Sequence, residues 1–295
     1  MPGPFFSRMS AEFSNITILG GGLLGGSLAL ALAQLESPPQ VRMWTRREET
    51  ANHARKLGIS GATTDLAEAV AGADLAILCV PVGSMPGLVS AALAAGLPTD
   101  CVITDVGSVK CAPHNSIPPL LIGTDILFIG SHPMAGSERT GIAAVSVHLF
   151  RNAACLLTND ENASPAQCAA LEHFWQSVGC RTSWMNAAVH DELVARISHV
   201  PHLVAAAAAR VCLKDQSEGR FAGGGLRDTT RVASGNAEMW AEIVTENREA
   251  IIEPLRELLT DLSEILTCLE DGDQEAARQW LATAKHHRDL LTPSC

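Results

Sequence analysis

The run Ile16-Thr17-Ile18-Leu19-Gly20-Gly21-Gly22-Leu23-Leu24-Gly25 decides the fold of this chain. It places a G-x-G-x-x-G motif between a short apolar stretch and the Ala/Leu-rich segment Leu23–Leu35, which has helical length. In a strand–turn–helix the first glycine allows the tight turn, the second admits a pyrophosphate and the third lets helix pack on strand. Backbone N–H groups at the start of the helix then face the phosphates. A glycine-rich turn without a ligand is the alternative. We predict a dinucleotide-binding loop with these contacts: Gly20, Gly22, Leu23, Leu24 and Gly25.

Further short apolar runs follow, and segments of helical length separate several of them. They are Val41–Trp44, Leu75–Val80, Cys101–Thr104, Ile126–Ile129, Ala154–Leu157 and Cys180–Trp184. Apolar strands that alternate with helices are typical of a parallel sheet covered on both faces. After residue 185 the chain has long helix-favouring segments and no convincing strand. We predict a lead-in over residues 1–14, a Rossmann-type, doubly wound α/β domain with a mainly parallel sheet over 15–185, and an all-helical C-terminal domain over 186–295.

Composition excludes several classes of function. The 295 residues carry 21 Lys and Arg against 32 Asp and Glu, a net charge of −11, which disfavours binding to nucleic acid or to anionic membranes. The nine cysteines are odd in number and form no C-x-x-C pair, which argues against a disulfide framework and a zinc ribbon. No signal peptide or bilayer-length apolar stretch is present. We therefore expect a cytoplasmic protein without a bound metal.

The segment after the second apolar run bears on the choice of dinucleotide. An acidic residue at this point would bind the ribose 2′-hydroxyl of NAD. Here the run continues into Thr45, Arg46 and Arg47, which can bond to a 2′-phosphate that a carboxylate would repel. We therefore favour NADP over NAD. The alternative is that the two arginines form the solvated start of a helix.

Two further segments belong at the predicted cofactor crevice, because ligands of open α/β sheets lie beyond the carboxyl ends of the strands. Val80 and Pro81 end one apolar run, and Asp105 and Gly107 follow the next. Pro81 also suits a simple strand terminator. We predict that all four residues contact the cofactor.

A histidine and a glycine-rich segment are the candidates for chemistry. His132 follows the run Ile126–Ile129, so the same edge of the sheet is its expected place. A histidine titrates near neutrality and can take a proton from a substrate hydroxyl as hydride leaves, although a lone histidine is more often structural. The segment Gly219–Gly235 is predicted to be a loop, in which Arg231 can bind a carboxylate or pair with Asp228.

Four segments together resemble the prephenate/arogenate dehydrogenase family of tyrosine biosynthesis. They are Gly20–Ala29, Thr104-Asp105-Val106-Gly107-Ser108-Val109-Lys110, Ser131-His132-Pro133-Met134-Ala135-Gly136-Ser137-Glu138 and Leu226-Arg227-Asp228-Thr229-Thr230-Arg231-Val232-Ala233. His190-Asp191 and Ser198-His199-Val200-Pro201-His202 also fit. The resemblance runs from about Ile16 to Trp280.

The resemblance implies an oxidative decarboxylation of prephenate or arogenate by a homodimer that associates through the helical domain. Hydride leaves the ring carbon that bears the hydroxyl, and the ring carboxylate departs as CO₂. The resemblance makes His132 the residue that accepts or polarises the hydroxyl proton, with Ser108 beside it, and Arg231 the grip on a substrate carboxylate. The remaining implied pocket residues are His202, Ser198, Glu138, Asp228 and Gly225.

Alternatives remain at this point. Arogenate replaces prephenate if the pocket accepts an ammonium group. A β-hydroxyacid dehydrogenase shares the general plan, but its Lys-x-x-x-Asn motif is missing after residue 150. A third alternative is not an enzyme: a protein that binds NADP as a sensor and has no turnover. In that case a substitution of His132 would not change the function of the protein. A metal site at the histidines between His190 and His202 is disfavoured because no acidic cluster or thiolate joins them at ligand spacing.

Overall fold

The computed structural model describes residues 13–136, 141–215 and 217–291. It forms two compact units, one that extends to Asn247 and one that begins at Arg248. Of the described helices, none has the length and apolar character needed to cross a membrane. The eight cysteines within the described residues are free thiols.

The first unit is built on a six-stranded parallel sheet. Its strands are β1 (Asn15–Leu19), β2 (Gln40–Trp44), β3 (Ala62–Thr63), β4 (Leu75–Leu78), β5 (Val102–Asp105) and β6 (Leu127–Phe128). They lie side by side in the order β3-β2-β1-β4-β5-β6. The order reverses direction between β1 and β4, and the crevice at such a point is where open α/β sheets bind ligands.

Helices cover both faces of this sheet, because successive strand residues point to opposite sides. The helices are α1 (Leu23–Leu32), α2 (Glu48–Lys56), α3 (Leu66–Val70), α4 (Met85–Ala94), α5 (Cys111–Ser116) and α6 (Pro165–Ser177). On β4, Leu75 and Ile77 join a core that contains residues of α1, α2 and α6. The alternate residues Ala76 and Leu78 join a second core with α3 and α4. The predicted doubly wound α/β domain is confirmed.

A second sheet changes the expected setting of His132. Strand β7 (Gly130–Pro133) runs antiparallel to β8 (Ala154–Thr158), which is parallel to β9 (Arg181–Met185). His132 was expected at the carboxyl edge of the sheet after the run Ile126–Ile129, and the structure places it within β7. Only Ile129 separates β6 from β7. The strand escapes detection in the sequence because Gly130, His132 and Pro133 interrupt its apolar pattern.

Everything described after Met185 is helical or turn, as expected. The helices are α7 (Ala187–Val194), α8 (Val200–Cys212), α9 (Gly224–Thr230), α10 (Ala237–Glu246), α11 (Arg248–Glu270) and α12 (Gln274–Asp289). A π-helical turn, Ala195–His199, separates α7 from α8. The segment Gly219–Gly235 was predicted to be a loop, and this is wrong: α9 and two 3₁₀ turns occupy most of it. Helices α11 and α12 pack together as the second unit.

Candidate active site

The glycine loop has the geometry that a dinucleotide needs. Gly20 has φ of +132°, and a Cβ on it would lie 2.3 Å from the carbonyl oxygen of Cys79. A Cβ on Gly25 would lie 2.0 Å from the carbonyl oxygen of Gly20, so only glycine lets α1 pack this closely. Gly22 precedes α1 with no side-chain cap and with open space where its Cβ would be. The backbone at this helix start is therefore available to a pyrophosphate. Half-buried Leu23 and Leu24 form its first turn.

The residues after β2 lie beside this loop. Thr45 is buried, with its methyl group against Gly21, and its hydroxyl donates to the carbonyl oxygen of Arg47 at 2.9 Å. That hydroxyl is therefore engaged within the protein. Arg46 and Arg47 are exposed, and neither guanidinium bonds with another described residue. The nearby carboxylate of Glu48 is paired with Arg55.

The other predicted cofactor contacts divide into two groups. Val80 and Pro81 lie in the turn after β4, where the Val80 side chain borders the Gly20 position. Gly107 is buried, and a Cβ on it would lie 2.8 Å from a carboxylate oxygen of Asp105. The Asp105 side chain is engaged within the protein. Its carboxylate is fully buried and accepts hydrogen bonds from the Ser131 and Gly107 amides, and it is paired with Lys110. It therefore anchors the edge of the sheet.

His132 belongs to a chain of three side chains. Its Nδ1 lies 2.9 Å from Nε2 of His190, and His190 Nδ1 lies 2.8 Å from Oδ1 of Asp191. The Asp191 carboxylate also accepts from the backbone amides of Lys110 at 2.7 Å and Cys111 at 2.9 Å. Helix α7 supplies two of the three side chains and β7 the third, so the relay Asp191–His190–His132 joins elements far apart in sequence.

The carboxylate at one end fixes the protons along this relay. An ionised Asp191 only accepts, so His190 carries its proton on Nδ1 and its Nε2 is an acceptor. His132 must then donate through Nδ1, which leaves the lone pair on its Nε2. Burial would raise the pKa of Asp191, but the hydrogen bonds from His190 and from two amides outweigh it and lower that pKa. The relay therefore presents a neutral proton acceptor.

Burial also keeps the two imidazoles of the relay neutral. It lowers the pKa of His132 well below its usual value, and His190 and Lys110 lower it further. Burial likewise lowers the pKa of His190, although the bond to Asp191 opposes the shift. The His132 ring is therefore neutral at pH 7, the form that can accept a proton.

The strand that carries His132 is anchored from both sides. The hydroxyl of the preceding Ser131 lies 2.7 Å from that of Thr104 and accepts from the indole nitrogen of Trp175 at 2.9 Å. All three side chains are buried. A rigid backbone at this point fixes the His132 ring against the relay.

Helix α8 adds a second buried cluster. The rings of His202 and Trp240 stack with centroids 3.5 Å apart and planes 8° apart, and His199 meets Trp240 edge-on at 6.1 Å. A Cβ on Gly235 would lie 2.5 Å from the Trp240 indole nitrogen, so this glycine admits the stack. The amide nitrogen of Asn247 bonds to Nδ1 of His199 at 3.0 Å. The same Asn247 nitrogen also donates to the carbonyl oxygen of Asp191 at 2.9 Å, which links this cluster to the relay.

The structure places the other predicted substrate residues as follows. Ser108 is half-buried in the turn after β5, and its hydroxyl makes no hydrogen bond with the described residues. Ser198 is half-buried in the π-helical turn, a feature common at functional sites. Gly225, Asp228 and Arg231 are exposed on α9 and on the turn after it, which pack against α8. Glu138 lies outside the described residues.

Comparisons with known proteins identify the family of this chain. Residues 28–184 match the family described as prephenate dehydrogenase, nucleotide-binding domain, and residues 186–283 match prephenate dehydrogenase, dimerization domain. The chain belongs to the prephenate dehydrogenase family. It is therefore an NAD(P)-dependent oxidoreductase, and the family's reaction is an oxidative decarboxylation in tyrosine biosynthesis.

Several relatives of the family are similar over most of the chain. A cyclohexadienyl dehydrogenase of Zymomonas mobilis is 34% identical over 88% of this chain and 91% of that protein. A prephenate dehydrogenase of Bacillus subtilis is 32% identical over 96% of this chain and 77% of that protein. The crystal structure of Synechocystis arogenate dehydrogenase has a TM-score of 0.78 at 29% identity, over 94% of this chain and 100% of that chain. An A. aeolicus prephenate dehydrogenase, solved with hydroxyphenyl propionate and NAD+, shares the fold with a TM-score of 0.85 at 24% identity, over 98% of this chain and 100% of that chain.

The roles of several residues at this site cannot be predicted from the sequence alone. His190 and Asp191 fit the family pattern, but their pairing with His132 depends on how α7 lies against β7. Asn247 gives no sequence signal, because its role follows from contacts with the Asp191 carbonyl and His199. Lys110 stands in a family motif, and its burial against Asp105 shows why a lysine is tolerated there.

Proposed function

We propose that this chain is a prephenate dehydrogenase that uses NADP, with arogenate as the alternative substrate. The relay Asp191–His190–His132 is the observation that carries the proposal. It presents a buried, neutral imidazole nitrogen as a proton acceptor on the same unit as the dinucleotide loop. A non-catalytic sensor of NADP has no need of such a relay.

The chemistry explains why a weak base suffices. NADP, when bound at the glycine loop, would supply the acceptor for the hydride that leaves the ring carbon bearing the hydroxyl. As the hydride departs, this hydroxyl becomes strongly acidic, and His132 Nε2 accepts its proton although the pKa of His132 is low. The proton returns to the oxygen when the electrons of the breaking C–CO₂ bond complete the aromatic ring. A positioned base of this kind contributes about 10²–10⁴-fold to the rate.

The remaining predicted residues divide the substrate between them. Arg231 binds the side-chain carboxylate, which keeps its charge throughout, by charge-assisted hydrogen bonds. Ser108 bonds to the ring hydroxyl beside His132. His202, Ser198 and Glu138 line the pocket, Gly225 offers its backbone amide, and Asp228 orients neighbouring donors.

Of the buried carboxylates that the structure describes, none is free to pair with the ammonium group of arogenate, and the proposed pocket residue Glu138 lies outside the described residues. An ammonium group in a buried pocket needs a carboxylate partner. The two buried carboxylates among the described residues, Asp105 and Asp191, are both fully engaged with protein donors. The keto group of prephenate makes no such demand.

Two exposed arginines support NADP as the cofactor. Arg46 and Arg47 follow β2 beside the glycine loop, and the nearby Glu48 is held by Arg55. Two guanidinium groups at this position suit a 2′-phosphate. Gly20, Gly22, Leu23, Leu24 and Gly25 would hold the pyrophosphate, with Val80, Pro81 and Gly107 along the same edge.

A homodimer follows from the second family match, whose description names dimerization. Helix α11 carries an exposed apolar stripe at helical spacing, formed by Leu259, Leu262, Leu266 and Leu269. An apolar stripe of this length is rarely left in water. We infer that a second copy of the chain covers it.

The test is the formation of reduced cofactor when prephenate or arogenate is added with NAD or NADP, followed at the nicotinamide absorbance. We expect the highest kcat/KM with prephenate and NADP. His132→Asn should abolish turnover while the dissociation constant for NADP stays unchanged. Cofactor binding without turnover of either acid would support the sensor instead, and equal rates for variant and parent would refute the role of His132.

A further inference from the structure

Two buried nitrogens in the described part of the chain lack a hydrogen-bond partner. They are Nε2 of His199 and Nδ1 of His202, and their side chains are 1% and 8% exposed. A buried polar atom left unpaired costs about 1–3 kcal/mol. Both atoms belong to the cluster beside the relay, so they point to a ligand rather than to a packing defect. His202 already belongs to the proposed pocket, whereas His199 has no assigned role.

The environment of His199 fixes which of its nitrogens carries the proton. One Asn247 side-chain atom lies 2.9 Å from the carbonyl oxygen of Asp191 and 3.0 Å from His199 Nδ1. A carbonyl oxygen only accepts, so this atom is the amide nitrogen and donates to both groups. His199 Nδ1 therefore accepts, and the proton of the neutral ring lies on Nε2. The unpartnered atom is a hydrogen-bond donor.

This donor is uncharged under working conditions. Burial lowers the pKa of His199 to about 4, although the charge of Asp191 opposes the shift. The buried cation Lys110 is paired with Asp105. This neutral N–H group belongs to the cluster of His199, His202 and Trp240, which Asn247 joins to the relay.

We propose that His199 Nε2 donates a hydrogen bond to the ring carboxylate of the substrate, the group that departs as CO₂. This inference rests on the proposed function. The negative charge of that carboxylate moves into the ring as the C–C bond breaks. A cation would stabilise the starting charge more than the transition state and would slow the step. A neutral donor orients the carboxylate without that penalty, while Arg231 holds the carboxylate that stays.

Two substitutions separate the donor from the rest of the ring. His199→Asn keeps an acceptor near the Nδ1 position for Asn247 and removes the donor. His199→Gln places an amide nitrogen near the Nε2 position and so restores the donor. Arg196→Gln, an exposed change in the same π-helical turn, is the matched control. Each protein is measured for its melting temperature, NADP dissociation constant, kcat and KM for substrate, and inhibition constant for the aromatic product, which lacks the ring carboxylate.

We expect His199→Asn to raise the KM for the substrate about 10- to 100-fold, as the loss of one hydrogen bond to a charged group predicts. The inhibition constant of the product and the NADP dissociation constant should change less than about threefold. His199→Gln should recover most of the loss. If His199→Asn does not fold, the test rests on His199→Gln, through its KM for the substrate and its inhibition constant for the product. A His199→Gln variant in which only product binding is weakened would refute the contact.

Equal weakening of substrate and product by His199→Asn would also refute it, because the donor would then touch a group that both share. If the parent is active and a folded His199→Asn variant keeps the same KM, the contact is refuted and the proposed function is not. A parent that binds NADP but turns over neither acid would refute the proposed function and the contact together.

Discussion

Replacement of Asp191 by asparagine tests the relay directly, because this carboxylate sets the proton positions on both histidines. Oδ1 of Asp191 accepts from His190 Nδ1 and from the Lys110 amide, and Oδ2 accepts from the Cys111 amide. An asparagine has one accepting oxygen, so its NH₂ group must face one of these donors. Either orientation leaves a buried donor opposite a donor, which costs about 1–3 kcal/mol of stability.

The two orientations differ in their effect on His132. If the NH₂ group faces Cys111, the proton positions of the relay survive and only the charge that orients it is lost. If the NH₂ group faces His190, that ring must accept through Nδ1, His132 must accept in turn, and its Nε2 then carries a proton. The acceptor is lost in this case. A wrong histidine tautomer lowers kcat about 10⁴-fold in the serine protease triad, so we expect a loss between about 10²- and 10⁴-fold.

The assay is kcat from initial rates with saturating prephenate and NADP, at a temperature well below the melting point of the variant. The NADP dissociation constant should stay within about twofold of the parent value. Glu192→Gln, an exposed change at the next position of α7, is the control and should keep the parent kcat. A folded Asp191→Asn variant with kcat within about twofold of the parent would show that His132 works without the relay.

Three further measurements follow from the structure. Because the pKa of His199 is about 4 when folded against about 6.5 unfolded, the unfolded state binds more protons between these values. The unfolding free energy should therefore fall by about 2 kcal/mol from pH 7 to pH 5 through this residue, and His199→Gln should flatten the pH dependence seen in urea unfolding. The double change Arg46→Ala and Arg47→Ala should lower kcat/KM for NADP about 10- to 100-fold and leave NAD nearly unaffected; equal losses would refute the 2′-phosphate contact. Leu266→Asp should shift sedimentation from dimer to monomer, whereas Glu264→Gln on the opposite face should not; an unchanged dimer would exclude the α11 stripe.

The elements that the sequence predicts well are those set by local pattern. The strand–glycine–helix unit at Ile16–Leu32 follows from steric demands that neighbouring residues impose on each other. The apolar runs mark seven of the nine described strands, most clearly β4 and β8, where burial on both faces leaves few polar positions. The two missed strands have other causes: β3 has only two residues, and β7 contains a glycine, a histidine and a proline.

The site is harder to predict because its contacts span the chain. His132 and His190 are 58 residues apart, and Lys110 and Asp191 are 81 apart. No sequence period links such pairs, so they emerge only when β5, β7 and α7 are packed. Asp105 illustrates the same limit. Its position at a strand end predicts a cofactor contact, yet its carboxylate is consumed by Lys110 and two amides.

The distribution of charge then relates the fold to the reaction. Asp105 and Lys110 neutralise each other, Asp191 is held by amides and His190, and burial keeps His132 and His199 uncharged. The interior of the described site is thus polar but nearly free of uncompensated charge. The exposed cations Arg46, Arg47 and Arg231 lie outside it, where the proposed ligand groups keep their charge. In the proposed reaction the negative charge of the ring carboxylate moves into the ring as the C–C bond breaks. A fixed positive charge beside that bond would stabilise the reactant more than the transition state, so this distribution of charge favours the reaction.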